Sequence, residues 1–295
     1  MRNRILAGLG VAALATVGVA TPATAFDPGT ADLYIVHAFP ALATAGDTNV
    51  DIFIDDASIA TDVAPETVAG PGLTGSGQAN IAGLGNLPPK TYQVRIQTTT
   101  GATVLYDEAV PLEANKAYTA VAHPTVGTPG IDRFTVSLFE NQTTAAAGNG
   151  VVTVRHTANV DPVFLFSDTT ELGGPLGNPD EAVLEVPAAT YPNVFASLSQ
   201  STPAAAIEVG DVPLPAGTNI FVHAFGPDLD GEFRPIVYSV GGLTLPTGVP
   251  GGTAGLVDEG APVSGIALGG VAALMLALMA AVAVVVRRRS VSVER

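Results

Sequence analysis

Cysteine and tryptophan are absent from this 295-residue chain, and only 13% of its residues are charged. Without cysteine there is no disulfide framework, no thiol nucleophile and no cysteine-ligated zinc or iron–sulfur site. Basic residues are scarce too, with 12 Lys and Arg against 27 Asp and Glu. That balance excludes nucleic acid as a partner, because phosphate binding is driven by clustered Lys and Arg. Helical periodicity is missing as well: no amphipathic helical window occurs between Asp27 and Gly260. Intrinsic disorder does not fit either, since 47% of the residues are hydrophobic.

Much of that apolar content sits at the two ends. Arg2 and Arg4 precede an apolar run from Ile5 to Ala20, and Pro22 and Ala23-Thr24-Ala25 follow. This is the layout of a secretory signal peptide, expected over 1–25. Near the other end, Val263 to Val286 is 24 residues without a charge, closed by Arg287-Arg288-Arg289. About 20 such residues cross a bilayer, and the arginines mark the cytoplasmic side. The expectation is a single-pass type I cell-membrane protein with its ectodomain outside and residues 287–295 as a cytoplasmic tail. The stretch 26–262 then holds 26 acidic against six basic residues, a net charge of −20.

The body between the ends repeats itself. Leu87-Pro88-Pro89-Lys90-Thr91-Tyr92 is echoed 99 residues later by Val186-Pro187-Ala188-Ala189-Thr190-Tyr191. Val110-Pro111-Leu112 returns as Val212-Pro213-Leu214, and Leu33–His37 as Val152–His156. Tyr92, Val94 and Ile96 alternate with Gln93, Arg95 and Gln97, and Val50, Ile52 and Ile54 with Asp51 and Asp55. Period two in Val-, Ile- and aromatic-rich runs is the mark of half-buried strands. We therefore expect an all-β fold: two tandem immunoglobulin-like β-sandwich domains, at 26–145 and 146–240, plus the C-terminal transmembrane helix. The Gly-rich segment Val63–Asn86 reads as a long loop. Gly241 to Pro262, with seven Gly and three Pro, reads as a flexible stalk reaching roughly 25 Å.

The order of these motifs is similar to a known family. Tyr34-Ile35-Val36-His37-Ala38 leads into Asn49-Val50-Asp51-Ile52-Phe53-Ile54-Asp55, then Thr91-Tyr92-Gln93-Val94 and Leu112-Glu113-Ala114-Asn115-Lys116-Ala117-Tyr118-Thr119. This resembles the bacterial exported domain of unknown function 4397. Unit two resembles a degraded copy, with Asp161-Pro162-Val163-Phe164-Leu165-Phe166 where the Val-Asp alternation would be. The resemblance implies an exported, often tandem β-sandwich surface protein without agreed catalytic residues.

Candidate chemistry is sparse. The four histidines, His37, His123, His156 and His223, each fall at or near a strand end. Spread over two domains, they do not converge as a catalytic or metal site requires, and His37 reads as a core-edge imidazole bonded to a turn. Gly75-Ser76-Gly77 is not a nucleophile elbow. Asp228, Asp230 and Glu232 form an acidic, turn-forming stretch, and Ca²⁺ is the metal such loops could hold. A solvated hairpin turn explains the same residues, and the spacing is not that of an EF-hand. No catalytic residue and no other cofactor is assigned. The expected role is non-enzymatic binding, adhesion or envelope structure. A cell-wall polymer or a surface protein is the candidate partner, and the membrane is engaged through the one helix. The alternative is a wall-glycan enzyme with paired carboxylates, which would need two acids about 5–10 Å apart in a cleft.

Overall fold

A computed structural model describes residues 29–40, 48–127, 134–227 and 231–244. The expected signal peptide, membrane helix and cytoplasmic tail lie outside the described residues. Among the described residues no helix is long and apolar enough to cross a membrane.

The described chain is all-β. The first unit comprises β1 (Ala31–His37), β2 (Val50–Ile54), β3 (Ala57–Val63), β4 (Val68–Gly70), β5 (Gln78–Asn80), β6 (Lys90–Thr98), β7 (Val104–Leu112), β8 (Lys116–Pro124) and β9 (Phe134–Asn141). The second comprises β10 (Asn149–His156), β11 (Val163–Ser167), β12 (Thr170–Leu176), β13 (Glu181–Pro187), β14 (Ala189–Ser197), β15 (Ile207–Leu214), β16 (Asn219–Phe225) and β17 (Arg234–Val240). Unit one stacks sheet β5-β4-β1-β8-β9 on β3-β2-β6-β7, and unit two stacks β13-β10-β16-β17 on β12-β11-β14-β15. Without β5, the two orders are the same.

The match extends to register. β1 runs parallel to β8 with Leu33 opposite Tyr118 and His37 opposite Ala122. β10 runs parallel to β16 with Val152 opposite Ile220 and His156 opposite Ala224. The turn into each of these partner strands needs a positive φ, supplied by Asn115 (61°) and Gly217 (69°). Each N–H there donates to the chain at the start of the first strand, to Thr30 O just before β1 and to Asn149 O at the first residue of β10. The hairpins β2–β3 and β11–β12 carry register shifts at matching rungs.

Three expectations are corrected. In an immunoglobulin sandwich the first strand lies beside the second. Here the first strand of each unit lies between the fourth and the penultimate, and the second belongs to the facing sheet. Strand number and spacing carry no information about which sheet a strand joins, so the observed order is not recoverable from them. The Gly-rich segment is no plain loop, because it contains β4, β5 and a 3-10 turn, Ala82–Leu84. Three-residue strands are too short to show alternation. Gly70 is required in β4 because the ring of Tyr34 packs where its Cβ would be. The stalk, finally, begins later than Gly241: Thr244 bridges Thr144, and Leu243 is buried with Ala145 and Val151.

Each unit has its own core, Leu33, Ile35, Ile52, Leu84, Val94 and Ile96 among others in unit one, Val154, Leu165, Leu176, Ile207 and Val222 among others in unit two. A third apolar cluster lies between the units. Tyr34, Val36, Val68 and Val121 pack there with Phe221, Phe225, Ile236 and Tyr238. The sheets containing β1 and β10 therefore meet through their outer faces, and both faces of their central strands are covered. All seven residues of β1 and all seven of β16 are buried. Each large apolar side chain buried at this seam contributes about 1.5–3 kcal/mol relative to exposure. A contact this apolar makes the two units one body rather than two beads on a linker.

Candidate functional site

The polar groups most removed from water lie in the seam. Arg155, on β10, is fully buried. Its Nε donates to Glu181 at 2.8 Å, and its Nη2 donates across the seam to Asn141 of β9 at 2.7 Å. The guanidinium lies over the ring of Phe139 at 4.5 Å and that of Phe221 at 5.1 Å. Thr119 donates to Asn141 and lies 3.1 Å from the Tyr238 hydroxyl, so both units share one hydrogen-bonded chain. Burial raises the Tyr238 hydroxyl above its ordinary value, against the pull of Arg155. A buried ion pair gains little net stability but sets register, because any misplaced packing strands a charge. The rim adds an Arg234–Glu66 bridge at 2.9 Å and an Asn178 donation to Pro124 O at 3.0 Å.

The histidines are structural neighbours of this seam or of the cores. His37 Nε2 lies 2.8 Å from Thr48 O, and His156 Nε2 lies 3.2 Å from Asp161 O. A carbonyl only accepts, so each Nε2 carries the proton and each Nδ1 is a bare acceptor. His123 sits between Pro124 O and the Ser137 hydroxyl. His223 stacks on Tyr238 with centroids 5.8 Å apart, and neither of its ring nitrogens has a hydrogen-bond partner. Desolvation depresses all four. His37 and His123 fall to about 4, His156 is lowered, and His223 is lowered well below the ordinary value, with the Arg155 charge adding to the burial.

The acidic candidates are scattered. Asp228 and Asp230 lie outside the described residues, and Glu232 is exposed just ahead of β17. Among the described residues no group of three or more His, Asp or Glu is placed to hold a metal ion. Asp55 and Asp56, which end a strand, form the two-residue turn of the β2–β3 hairpin, with φ of 49° and 63°. Both central residues at positive φ is the type I′ requirement, which Asp tolerates. The Lys90 ammonium, 2.6 Å away, and the Gln93 N–H hold the Asp55 carboxyl below its usual range.

The outward face of the β3-β2-β6-β7 sheet is a polar lattice. Gln93 donates to Asp107 at 2.6 Å, Arg95 to Gln97 at 2.7 Å, and the Arg95 guanidinium lies 4.1 Å from the Phe53 ring centroid. The counterpart face of unit two differs: Phe166 and Phe195 stack there at 5.3 Å and are buried.

The repeated Pro-x-x-Thr-Tyr motif now has a reason. Tyr92 donates its hydroxyl to Pro88 O at 2.8 Å, and Tyr191 donates to Pro187 O at 2.9 Å. Each is a tyrosine corner, tying the start of a strand to the turn before it. Sequence reasoning missed the roles of Arg155, Glu181, Asn141 and Tyr238. A usable signal existed in Leu33–Ala38 and Ile220–Phe225, which are apolar at nearly every position rather than alternating; such runs mark strands covered on both faces.

A comparison with curated proteins finds no match. Residues 31–164, all nine strands of unit one with β10 and the first two residues of β11, match the family described as "Domain of unknown function (DUF4397)", so the chain carries a DUF4397 domain.

Proposed function

We propose that this is a membrane-held bacterial cell-surface protein with a non-enzymatic binding, adhesion or envelope-structural role. Unit two is a second, diverged copy of the DUF4397 domain; the shared strand order, register and tyrosine corner support that relation. The signal peptide exports the chain, and the helix at 263–286 holds it with its C-terminus in the cytoplasm. A cell-wall polymer or another surface protein is the partner.

The observation that carries the reading is the seam. It joins two sandwiches into a stiff body and leaves their outer sheets and hairpins facing solvent, as a display scaffold requires. The carboxylates on the unit-one face are also engaged with each other's neighbours: Asp51 accepts from the Asp62 N–H and the Thr99 hydroxyl, both at 3.0 Å. The test incubates the full-length protein with cell-wall fractions and surface proteins, measuring both retention and release of soluble glycan. Saturable retention without released sugar supports the proposal. Release of new reducing ends overturns it in favour of a wall-glycan enzyme.

A further inference from the structure

The carbonyl that His156 holds belongs to a peptide bond of unusual chemistry, Asp161–Pro162. An aspartate side chain is the right length to close a five-membered ring on its own carbonyl carbon, which makes it a built-in nucleophile. Proline supplies a tertiary amide without an N–H, and its nitrogen leaves as a basic secondary amine. Both residues are exposed in the loop between β10 and β11, so solvent reaches the bond. His156 itself is fully buried, with Nε2 3.2 Å from the Asp161 oxygen, and the Val160 carbonyl contacts the same ring. Burial lowers its pKa, so the imidazole acts as a neutral donor aimed at the oxygen on which charge would gather.

The loop is pinned on both sides of the bond. Asn178 donates to Ala158 O at 2.8 Å, the Asn159 N–H donates to Gly226 O, and Val163 pairs with Leu176. Unit one holds the matching hydrogen bond, His37 Nε2 to Thr48 O at 2.8 Å. The bond there is Thr48–Asn49, with neither a carboxyl nor a proline. The histidine contact is thus common to both units, and the reactive dipeptide belongs to unit two alone.

We propose that the chain cuts itself once at Asp161–Pro162, with His156 as the electrophilic hydrogen-bond donor. The Asp161 carboxylate adds to its own carbonyl carbon, forming a C–O bond. The C–N bond to Pro162 breaks, its electron pair goes to nitrogen, and the nitrogen takes a proton from solvent. Water then opens the cyclic anhydride to two carboxylates on Asp161. One water is consumed and nothing is oxidised or reduced. The reaction is a single turnover within the chain, so it leaves the non-enzymatic reading untouched. β10 stays paired with β13 and β16, and Arg155 stays bonded to Glu181 and Asn141, so the two pieces remain one body.

The test incubates the full chain at about pH 5.5, inside the range where folds are commonly most stable, with and without guanidinium chloride. Denaturing gels and intact mass follow the cut. Fragments ending at Asp161 and beginning at Pro162 are expected, formed at least about tenfold faster in the folded chain, since one such donor is worth that or more. In denaturant the chain's two Asp–Pro bonds, Asp27–Pro28 and Asp161–Pro162, should break at similar rates. Asp161→Ala, at an exposed position, should abolish the cut. His156→Leu should slow it to the denatured rate without changing the rate in denaturant. No fragment beginning at Pro162, equal rates with and without denaturant, or undiminished cutting in Asp161→Ala would each overturn the proposal.

Discussion

Leu33 and Ile35 fill unit one where Val152 and Val154 line a void in unit two, on ladders whose registers are otherwise identical. The same pair of strands diverges on its other face as well: Val36 in unit one is matched by Arg155 in unit two, and Val121 by His223. One strand order thus supports a dense, apolar unit and a looser one with a buried cation on its outer surface. The difference shows where the fold is specified. Backbone pairing, the positive-φ turn and the tyrosine corner are repeated, while side chains at the core and the seam diverge.

The largest expected effect comes from acid, which attacks both units and the seam between them. His37 and His123 have folded values of about 4 against an ordinary value of 6.5, so the unfolded chain binds more protons in between. Stability is therefore full above pH 6.5 and is lost as pH falls toward 4, by about 1.4 kcal/mol for each unit of depression at each histidine. Urea midpoints measured across that range should fall steeply; a flat profile would show that the histidines are wet. Next in size is Glu181→Ala, which leaves the Arg155 charge buried without its carboxylate. A loss of about 3–5 kcal/mol is expected in equilibrium unfolding. Pairing Arg155→Met with Glu181→Leu should restore most of it, since desolvation of both charges then disappears.

Smaller changes compare the units directly. Tyr92→Phe should cost about 1 kcal/mol by removing the corner hydrogen bond, and Tyr191→Phe less, because Tyr191 is the more exposed of the two. Equal losses in thermal melts would show that the corners are equivalent despite the looser core. The smallest effect is expected at the hairpin tip. Asp56→Gly relieves the second positive φ of the type I′ turn and should stabilise by a few tenths of a kcal/mol. The Arg95–Asp56 contact it removes is 3.7 Å long, on a carboxylate 94% exposed, and contributes little.

Strand positions were largely legible in the sequence because alternation along Tyr92–Gln97 reports one buried face and one more exposed face. What the pattern could not convey was longer in range. Nothing local in β1 says that it pairs with β4 and β8 rather than β2, and β4 is too short to carry a period. The seam was visible only indirectly, as apolar residues on both faces of Leu33–Ala38. Arg155 stood in plain sight between Val154 and His156, but a lone arginine in a strand gives no sign of being buried until Glu181, Asn141 and two phenylalanine rings are brought to it by the fold.

The most direct test of the account is native-state hydrogen exchange on the full chain, comparing amides of β1 and β8 with those of β10 and β16. If the seam makes the units one cooperative body, both pairs should exchange through the same global opening with the same free energy, and Glu181→Ala should lower them together. Exchange of β10 and β16 through a separate, cheaper opening that leaves β1 and β8 protected would contradict it.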